Sequence, residues 1–270
     1  MTYSLRNQFD LGGRVVIITG AANILGPEFA AALAEYGAQS ALVDVNAEAC
    51  ARVADQIQED YGAKTMPIVA DVSSESAVVD MVEQVQLAFG QIDFLINAAA
   101  TKTANYFKPL IEYALEDWDE VMAVNLTGMF LCTKHILPHF IERKQGNIIN
   151  ISSIYGVLGP DPRIYEGSRY LDQQINTPPI YSASKAGVVG FTRYLATTLA
   201  ACNVRANCIT PGGVFSGQNE TFVQKYSARV PLGRMARREE LRGAILYLAS
   251  DASSYMTGHN LVIDGGLTAW

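Results

Sequence analysis

Apolar residues fall along this chain in short unbroken bursts, separated by longer stretches in which they recur every three or four positions. The first burst, Val15 to Ile18, is continuous rather than alternating. A continuous run suits a parallel strand buried on both faces. A helical pattern follows from Pro27 to Tyr36, with Pro27 in the first turn and Gly37 as the stop. The alternation then repeats. Strands are expected at 40–43, 66–69, 92–96, 147–151, 205–209 and 260–263. Helices are expected at 47–61, 74–89, 117–143, 180–201 and 239–249, the 117–143 helix bent near Pro138. This rhythm predicts an α/β fold: a doubly wound parallel sheet of about seven strands with helices on both faces. Ligands of such sheets bind beyond the carboxyl ends of the strands. One segment, 157–179, is rich in Gly, Pro, Asp, Asn, Arg and Tyr and has no period. A loop that long in a compact domain is as a rule functional or mobile.

Two places carry candidate chemistry. Thr19-Gly20-Ala21-Ala22-Asn23-Ile24-Leu25-Gly26 joins the first strand to the first helix, where glycines and helix N-terminal amides suit a pyrophosphate. Asp44 ends the second strand, placed to accept a hydrogen bond from a ribose 2′-hydroxyl and to repel a 2′-phosphate. No Arg or Lys lies in the turn or just after Asp44, so NAD is expected over NADP. Further on, Tyr181 and Lys185 sit at i and i+4 on one helix face. A nearby ammonium stabilises a phenolate, which makes such a tyrosine usable as a general acid/base. Tyr155, Tyr165 and Tyr170 have no lysine four residues on.

Composition narrows the classes. Of 270 residues 49% are hydrophobic and 17% charged, which is a packed globular chain rather than a disordered one. The net charge of −7 and the absence of any Lys/Arg run argue against a nucleic-acid partner. Cys50, Cys132, Cys202 and Cys208 form no CxxC pair and read as reduced thiols of a cytoplasmic protein. The opening MTYSLRNQFDLGG shows no basic segment followed by an apolar one, so no secretory signal is expected. No apolar run reaches the roughly 18 residues of a membrane span. His135 and His139 are four apart, but without the glutamate of HExxH, and no metal is expected. No GxSxG elbow supports a hydrolase triad.

Taken in order, the motifs resemble the short-chain dehydrogenase/reductase family in its single-domain branch. They are TGAANILG, Asp44, Ala70-Asp71-Val72, Ile96-Asn97-Ala98-Ala99, Val124-Asn125-Leu126-Thr127-Gly128, Asn150-Ile151-Ser152-Ser153, YSASKAG, Pro211-Gly212-Gly213-Val214, and Ser253 to Gly258 followed by Val262-Ile263-Asp264-Gly265-Gly266. The resemblance spans nearly the whole chain. It implies one NAD(P)-binding Rossmann-fold domain over 1–270 and hydride transfer between NAD(H) and a polar alcohol or ketone, a sugar derivative included. It implies that Tyr181 donates or accepts the proton, that Lys185 holds the nicotinamide ribose and depresses the Tyr181 pKa, that Ser153 binds the substrate oxygen, and that Asn125 anchors a water of the proton relay. On the cofactor side it implies Gly20, Asn23, Ile24 and Leu25 at the phosphates, Asp44 at the ribose, and Asp71 and Val72 around the adenine. Asn97 and Ala98 would line the ribose side, with Pro211 and Val214 at the nicotinamide. In this family the two long helices pack between subunits, which implies a homodimer or homotetramer.

The chain departs from the family pattern in three places. Ile24 stands where the phosphate turn carries its middle glycine, NAAA (97–100) replaces NNAG, and Ser153 and Tyr181 are 28 positions apart (181 − 153), about twice the usual interval. The extra residues fall in 157–179 and include Arg163, Tyr165, Glu166, Arg169, Tyr170 and Gln173, read as a substrate-facing insertion suited to a polar, hydroxyl-rich or anionic ligand; an oligomer contact or a tolerated surface loop is the other reading. Ser153-Ile154-Tyr155-Gly156 with Tyr165-Glu166-Gly167 is similar to oxidoreductases of bacterial surface-sugar and flagellin modification. Two other functions stay open at this point: a catalytically silent NAD(H)-binding sensor or scaffold, and a lyase or epimerase with no net redox change.

Overall fold

The computed structural model describes residues 4–170 and 173–270; within the insertion, the side chains of Tyr170 and Gln173 lie outside the described set. Its centre is a seven-stranded parallel sheet: β1 (Val15–Thr19), β2 (Gln39–Asp44), β3 (Thr65–Val69), β4 (Phe94–Asn97), β5 (Gly146–Ile151), β6 (Val204–Pro211) and β7 (Asn260–Ile263). The spatial order is β3-β2-β1-β4-β5-β6-β7. The direction of winding reverses between β1 and β4, so the segments leaving these two strands diverge and open a crevice. Thr19 ties the two rims together, its Oγ1 accepting from the amides of Ala98 (3.2 Å) and Ala99 (3.3 Å).

Besides a single helical turn at Leu5–Gln8, the helices are α1 (Gly26–Glu35), α2 (Ala47–Tyr61), α3 (Glu75–Phe89), α4 (Leu115–Met122), α5 (Met129–Arg143), α6 (Pro179–Leu199), α7 (Glu220–Ser227) and α8 (Arg242–Ala249). Val16 and Ile18 of β1 pack into a core with α1, α2 and α8, while Val15 and Ile17 pack into another with α3, α5 and α6. Both faces of the strand are covered, which is why its sequence reads as a continuous apolar run. Asn46 and Ser74 cap α2 and α3 by accepting from amides three residues on, and Gly62 and Gly90 close these helices in left-handed conformation.

Three features differ from expectation. The 115–143 stretch stays helical through Pro138, and its departure from α geometry is a π-helical segment, Ala123–Gly128, joining α4 to α5. A π turn re-aims the residues inside it and often marks a functional position. Gly128 closes the segment where Val72 packs; a Cβ there would stand 2.6 Å from Val72 Cγ2. Helix α7 lies in 215–237, where no element is predicted. Third, 157–179 has structure of its own: a 3₁₀ turn at Pro162–Ile164 and an antiparallel ribbon pairing Arg169–Tyr170 with Gln173–Gln174. Ile164, Tyr165 and Ile175 bury themselves with Ile154, Phe222 and Tyr226 in a small separate core, so the segment is packed over the carboxyl end of the sheet together with α7. Among the described residues no helix is long and apolar enough to cross a membrane, and all four cysteines are free.

Candidate active site

The chain leaves β5 through Ser152 and Ser153 into a 3₁₀ turn, Ile154–Gly156. This turn is pressed against α6. Ser152 Oγ donates to the Lys185 carbonyl at 2.7 Å, and a Cβ on Gly156 would stand 2.5 Å from that same oxygen. Lys185 Nζ donates to the Ile151 carbonyl at 2.8 Å, tying the helix to the end of β5 a second time. Helix α6 begins abruptly at Pro179, which needs no partner for a missing amide hydrogen at the first helical position. Tyr181 is thereby held in the first turn, one turn before Lys185, and lines the same cavity as Ser153.

Burial sets the titration of both groups. It raises the Tyr181 phenol above the ordinary tyrosine value, and the neighbouring Ser153 side chain pulls it part of the way back. Burial also lowers Lys185 to about 8. The expected depression of Tyr181 by Lys185 is therefore not what this arrangement produces. The ammonium is engaged with Ile151 and lies 5.9 Å from the centre of the Tyr181 ring.

At the other end of the crevice the β1–α1 turn is built on two glycines. Gly20 has φ +67°, and a Cβ there would stand 2.7 Å from Ala99 Cα; at Gly26 it would stand 2.5 Å from the carbonyl oxygens of Gly20 and Ala21. Ile24 needs no such freedom: among the described residues the non-glycine positions with positive φ are Lys144 and Asn203. Its side chain is 39% exposed at the mouth of the crevice instead of filling the turn. Asn23 locks the loop, donating from Nδ2 to the Ala98 carbonyl (2.7 Å) and accepting at Oδ1 from Leu25 and Gly26 (both 2.9 Å). Asp44 braces it from β2, accepting from the amides of Ala22 (2.9 Å) and Asn46 (3.0 Å).

One cavity of about 620 Å3 joins these ends. Of the expected site residues it is lined by Asn23, Ile24, Leu25, Ala98, Ser153, Tyr181, Lys185, Pro211 and Val214. The chemistry of these residues fits a nicotinamide dinucleotide. A helix N-terminus stands at one end with a carboxylate behind it, and a phenol, a hydroxyl and an ammonium stand at the other.

The remaining expected residues stand off the cavity. Asn97 is buried, its side chain donating to Asn150 Oδ1 (2.9 Å) inside the fold. Asn125, within the π segment, accepts from the Thr101 amide (3.0 Å) and donates to Ser184 Oγ at 3.5 Å, so its side chain acts as a strut between the β4 rim and α6. Asp71 accepts from the amide and hydroxyl of Ser73, and Val72 is buried against Gly128.

The insertion reaches the cavity, but not through its charged residues. Its charged members stay out of the cavity: Arg163 turns outward to pair with Asp161 at 2.7 Å, and Glu166 and Arg169 are exposed. What it contributes is Tyr165 and the stretch Ile175-Asn176-Thr177-Pro178. With Tyr106, Phe107, Tyr155, Phe222 and Tyr226 these make an aromatic end beyond Tyr181. Tyr165 Oη donates to Tyr155 Oη at 2.8 Å, and the Tyr155 ring stands edge-on to Tyr181 with centres 6.4 Å apart. Nothing in the linear sequence marks this pairing across ten residues of aperiodic chain.

A family model described as enoyl-(acyl carrier protein) reductase matches residues 20–268. The chain is 37% identical over 262 residues to the 3-oxoacyl-(acyl-carrier-protein) reductase of Thermotoga maritima, covering 95% of this chain and 98% of that one. A gluconate 5-dehydrogenase from Burkholderia cenocepacia, solved with NADP and tartrate, superimposes with a TM-score of 0.87 at 30% identity, covering 99% of this chain and 100% of that one. An NAD+-bound xylitol dehydrogenase does so with a TM-score of 0.85 at 32% identity, covering 95% and 99%. Fold and site together define a nicotinamide-dependent oxidoreductase of alcohol and carbonyl carbons. The chain belongs to the short-chain dehydrogenase/reductase family.

Proposed function

We propose that this enzyme prefers NAD(H) to NADP(H) and interconverts a secondary alcohol and a ketone on a small polyhydroxylated substrate of the polyol or sugar-acid type. The observation that carries the reading is the meeting of Ser153, Tyr181 and Lys185 in the one cavity that also reaches the β1–α1 turn. That convergence disfavours a silent binding protein. A bound nicotinamide supplies or accepts the hydride. Ser153 and Tyr181 hold the substrate oxygen between them, and Tyr181 gives the proton in reduction and takes it in oxidation. Lys185 carries its charge below pH about 8, steadying the Tyr181 side of the pocket and the ribose. Asn125 acts through position, fixing the 101 loop against α6.

Gly20, Asn23, Ile24 and Leu25 would take the phosphates, Asp44 the adenosine ribose, Asp71 and Val72 the adenine surroundings, and Asn97 and Ala98 the rim through their backbone. Pro211 and Val214 would meet the carboxamide. Asp44 supports NAD over NADP because a 2′-phosphate would enter the field of its carboxylate. The related structures include both cofactors, so the choice belongs to the individual site. The polyhydroxylated class is supported by the neutral polar groups among the aromatic lining, Asn176 and the tyrosine hydroxyls. The likeness of the 153–156 and 165–167 runs keeps surface-sugar derivatives within this class. Aromatic residues on α5 and α6 cluster towards the surface, Phe191 stacked on Tyr194 and edge-on to Phe130, and support a homodimer or homotetramer. Four free thiols support a reducing, cytoplasmic setting.

The test is titration of NADH and NADPH into wild type and Asp44→Ala. NADH preference that collapses in the variant is expected. Equal affinity for both in wild type overturns the cofactor assignment, and binding of neither overturns the reading as a whole.

A further inference from the structure

The insertion brings a second pair of phenols to the reacting end of the cavity, and the hydride chemistry does not use them. Tyr165 donates to Tyr155 at 2.8 Å, and both line the cavity with Ser153 and Tyr181. Two hydroxyls joined by one hydrogen bond spend one of their two hydrogens and keep the other. The pair therefore still offers one donor, together with phenol lone pairs that can accept. The Tyr155 amide donates to Ser153 Oγ at 3.3 Å, so the ring is fixed relative to the very hydroxyl that meets the substrate oxygen. Edge-on contact with Tyr181 at 6.4 Å fixes it relative to the acid. A substrate whose reacting oxygen sits between Ser153 and Tyr181 has its neighbouring carbon against Tyr155. Ile154, Ile175, Phe222 and Met235 supply an apolar wall around the pair. A polar pair set into such a wall is a recognition element, because a ligand that cannot answer it leaves a hydroxyl unpaired on closing the site.

We infer that the Tyr155–Tyr165 pair is a specificity element that binds a second hydroxyl on the carbon next to the reacting one, so that the enzyme selects vicinal diols and their α-hydroxy ketones over simple secondary alcohols. This rests on the proposed dehydrogenase reading and narrows its substrate class. Burial raises both phenols above the ordinary tyrosine value, so the pair stays neutral and able to donate throughout the working range. Tyr165 reaches the site only because the Ser153–Tyr181 interval is long.

The experiment compares 2,3-butanediol with 2-butanol, which differ by one hydroxyl, in NAD+ reduction by wild type, Tyr155→Phe and Tyr165→Phe. These variants keep the rings and the small core they fill. Wild type is expected to favour the diol in kcat/KM by about tenfold or more. Each variant is expected to bring the ratio towards one, with the loss carried in KM for the diol. Wild type acting on both alcohols equally overturns the inference and leaves the dehydrogenase reading standing. So do variants that slow both alcohols in parallel and keep the ratio, since that is the signature of a merely structural role. Wild type that binds NADH and turns over neither alcohol, nor xylitol, overturns both.

Discussion

The carbonyl oxygen of Lys185 lies so close to Gly156 that a single added carbon at residue 156 would stand 2.5 Å from it. Ser153 leaves its strand just before this turn and Tyr181 sits one helical turn before Lys185, so the contact sets their separation. Gly156→Ala must push α6 and the turn apart. We expect kcat/KM to fall by roughly 100-fold, the order that a misplacement of about 1 Å costs, while NADH affinity changes little. Steady-state kinetics beside a fluorescence titration separate the two; unchanged kcat/KM would show that this packing does not set the geometry.

Lys185 gives a stability prediction whose sign follows from its shift. Burial holds its pKa at about 8, below the ordinary lysine value of 10.5. Between those two values the unfolded chain binds more protons than the folded one, so this group makes stability rise with pH across the window. The cost of burying the ammonium is fully present below about 8 and disappears above the unfolded value. Lys185→Met removes the term. The stability of the variant relative to wild type is expected to be greatest near neutrality and to shrink from pH about 8 to about 10, read from denaturant midpoints. A pH-independent difference contradicts it.

Asp93 predicts a purely structural effect. Its carboxylate is buried, accepting from the Val15 amide at 2.8 Å and from Arg143 at 2.9 Å, where it joins the starts of β1 and β4 to the end of α5. Arg143→Met leaves that charge without its cation. Breaking a buried pair costs about 3–5 kcal/mol, and the partly exposed arginine puts the figure near the lower end. A drop in Tm of about 5–10 °C is expected with cofactor affinity retained. Scanning calorimetry showing no change would mean that water replaces the guanidinium at no cost.

The strands were legible because the sheet is covered on both sides, which turns Val15–Ile18 and its counterparts into unbroken apolar runs. The proposed ligand contacts that rest on a local motif are legible too: Tyr181 and Lys185 are one helical turn apart, and the Gly20–Gly26 turn is read within eight positions. What depended on distant packing was not. Nothing in the apolar pattern of 117–143 distinguishes a π turn at Ala123–Gly128 from an α turn, and Pro138, the conspicuous residue, lies in ordinary helix. The composition of the insertion points to a polar, hydroxyl-rich or anionic ligand but does not say which side chains face it: Arg163 pairs two residues away with Asp161, and the ring of Tyr165 faces inward. Asn125 and Asn97 were recognised as site residues, yet their side chains serve the scaffold, Asn125 bonding the Thr101 amide and Asn97 bonding Asn150. Helix α7 did carry a signal, Asn219 as N-cap to the Phe222 amide, masked by the irregular stretch around it.

The proposed role of Tyr181 is to move the proton that accompanies hydride transfer. It is read from nicotinamide absorbance during turnover of a polyol by wild type and Tyr181→Phe, with NADH binding measured on the same samples. A fall in kcat of about 10²–10⁴-fold with NADH affinity retained is expected. A variant that binds NADH and turns over at the wild-type rate would contradict it.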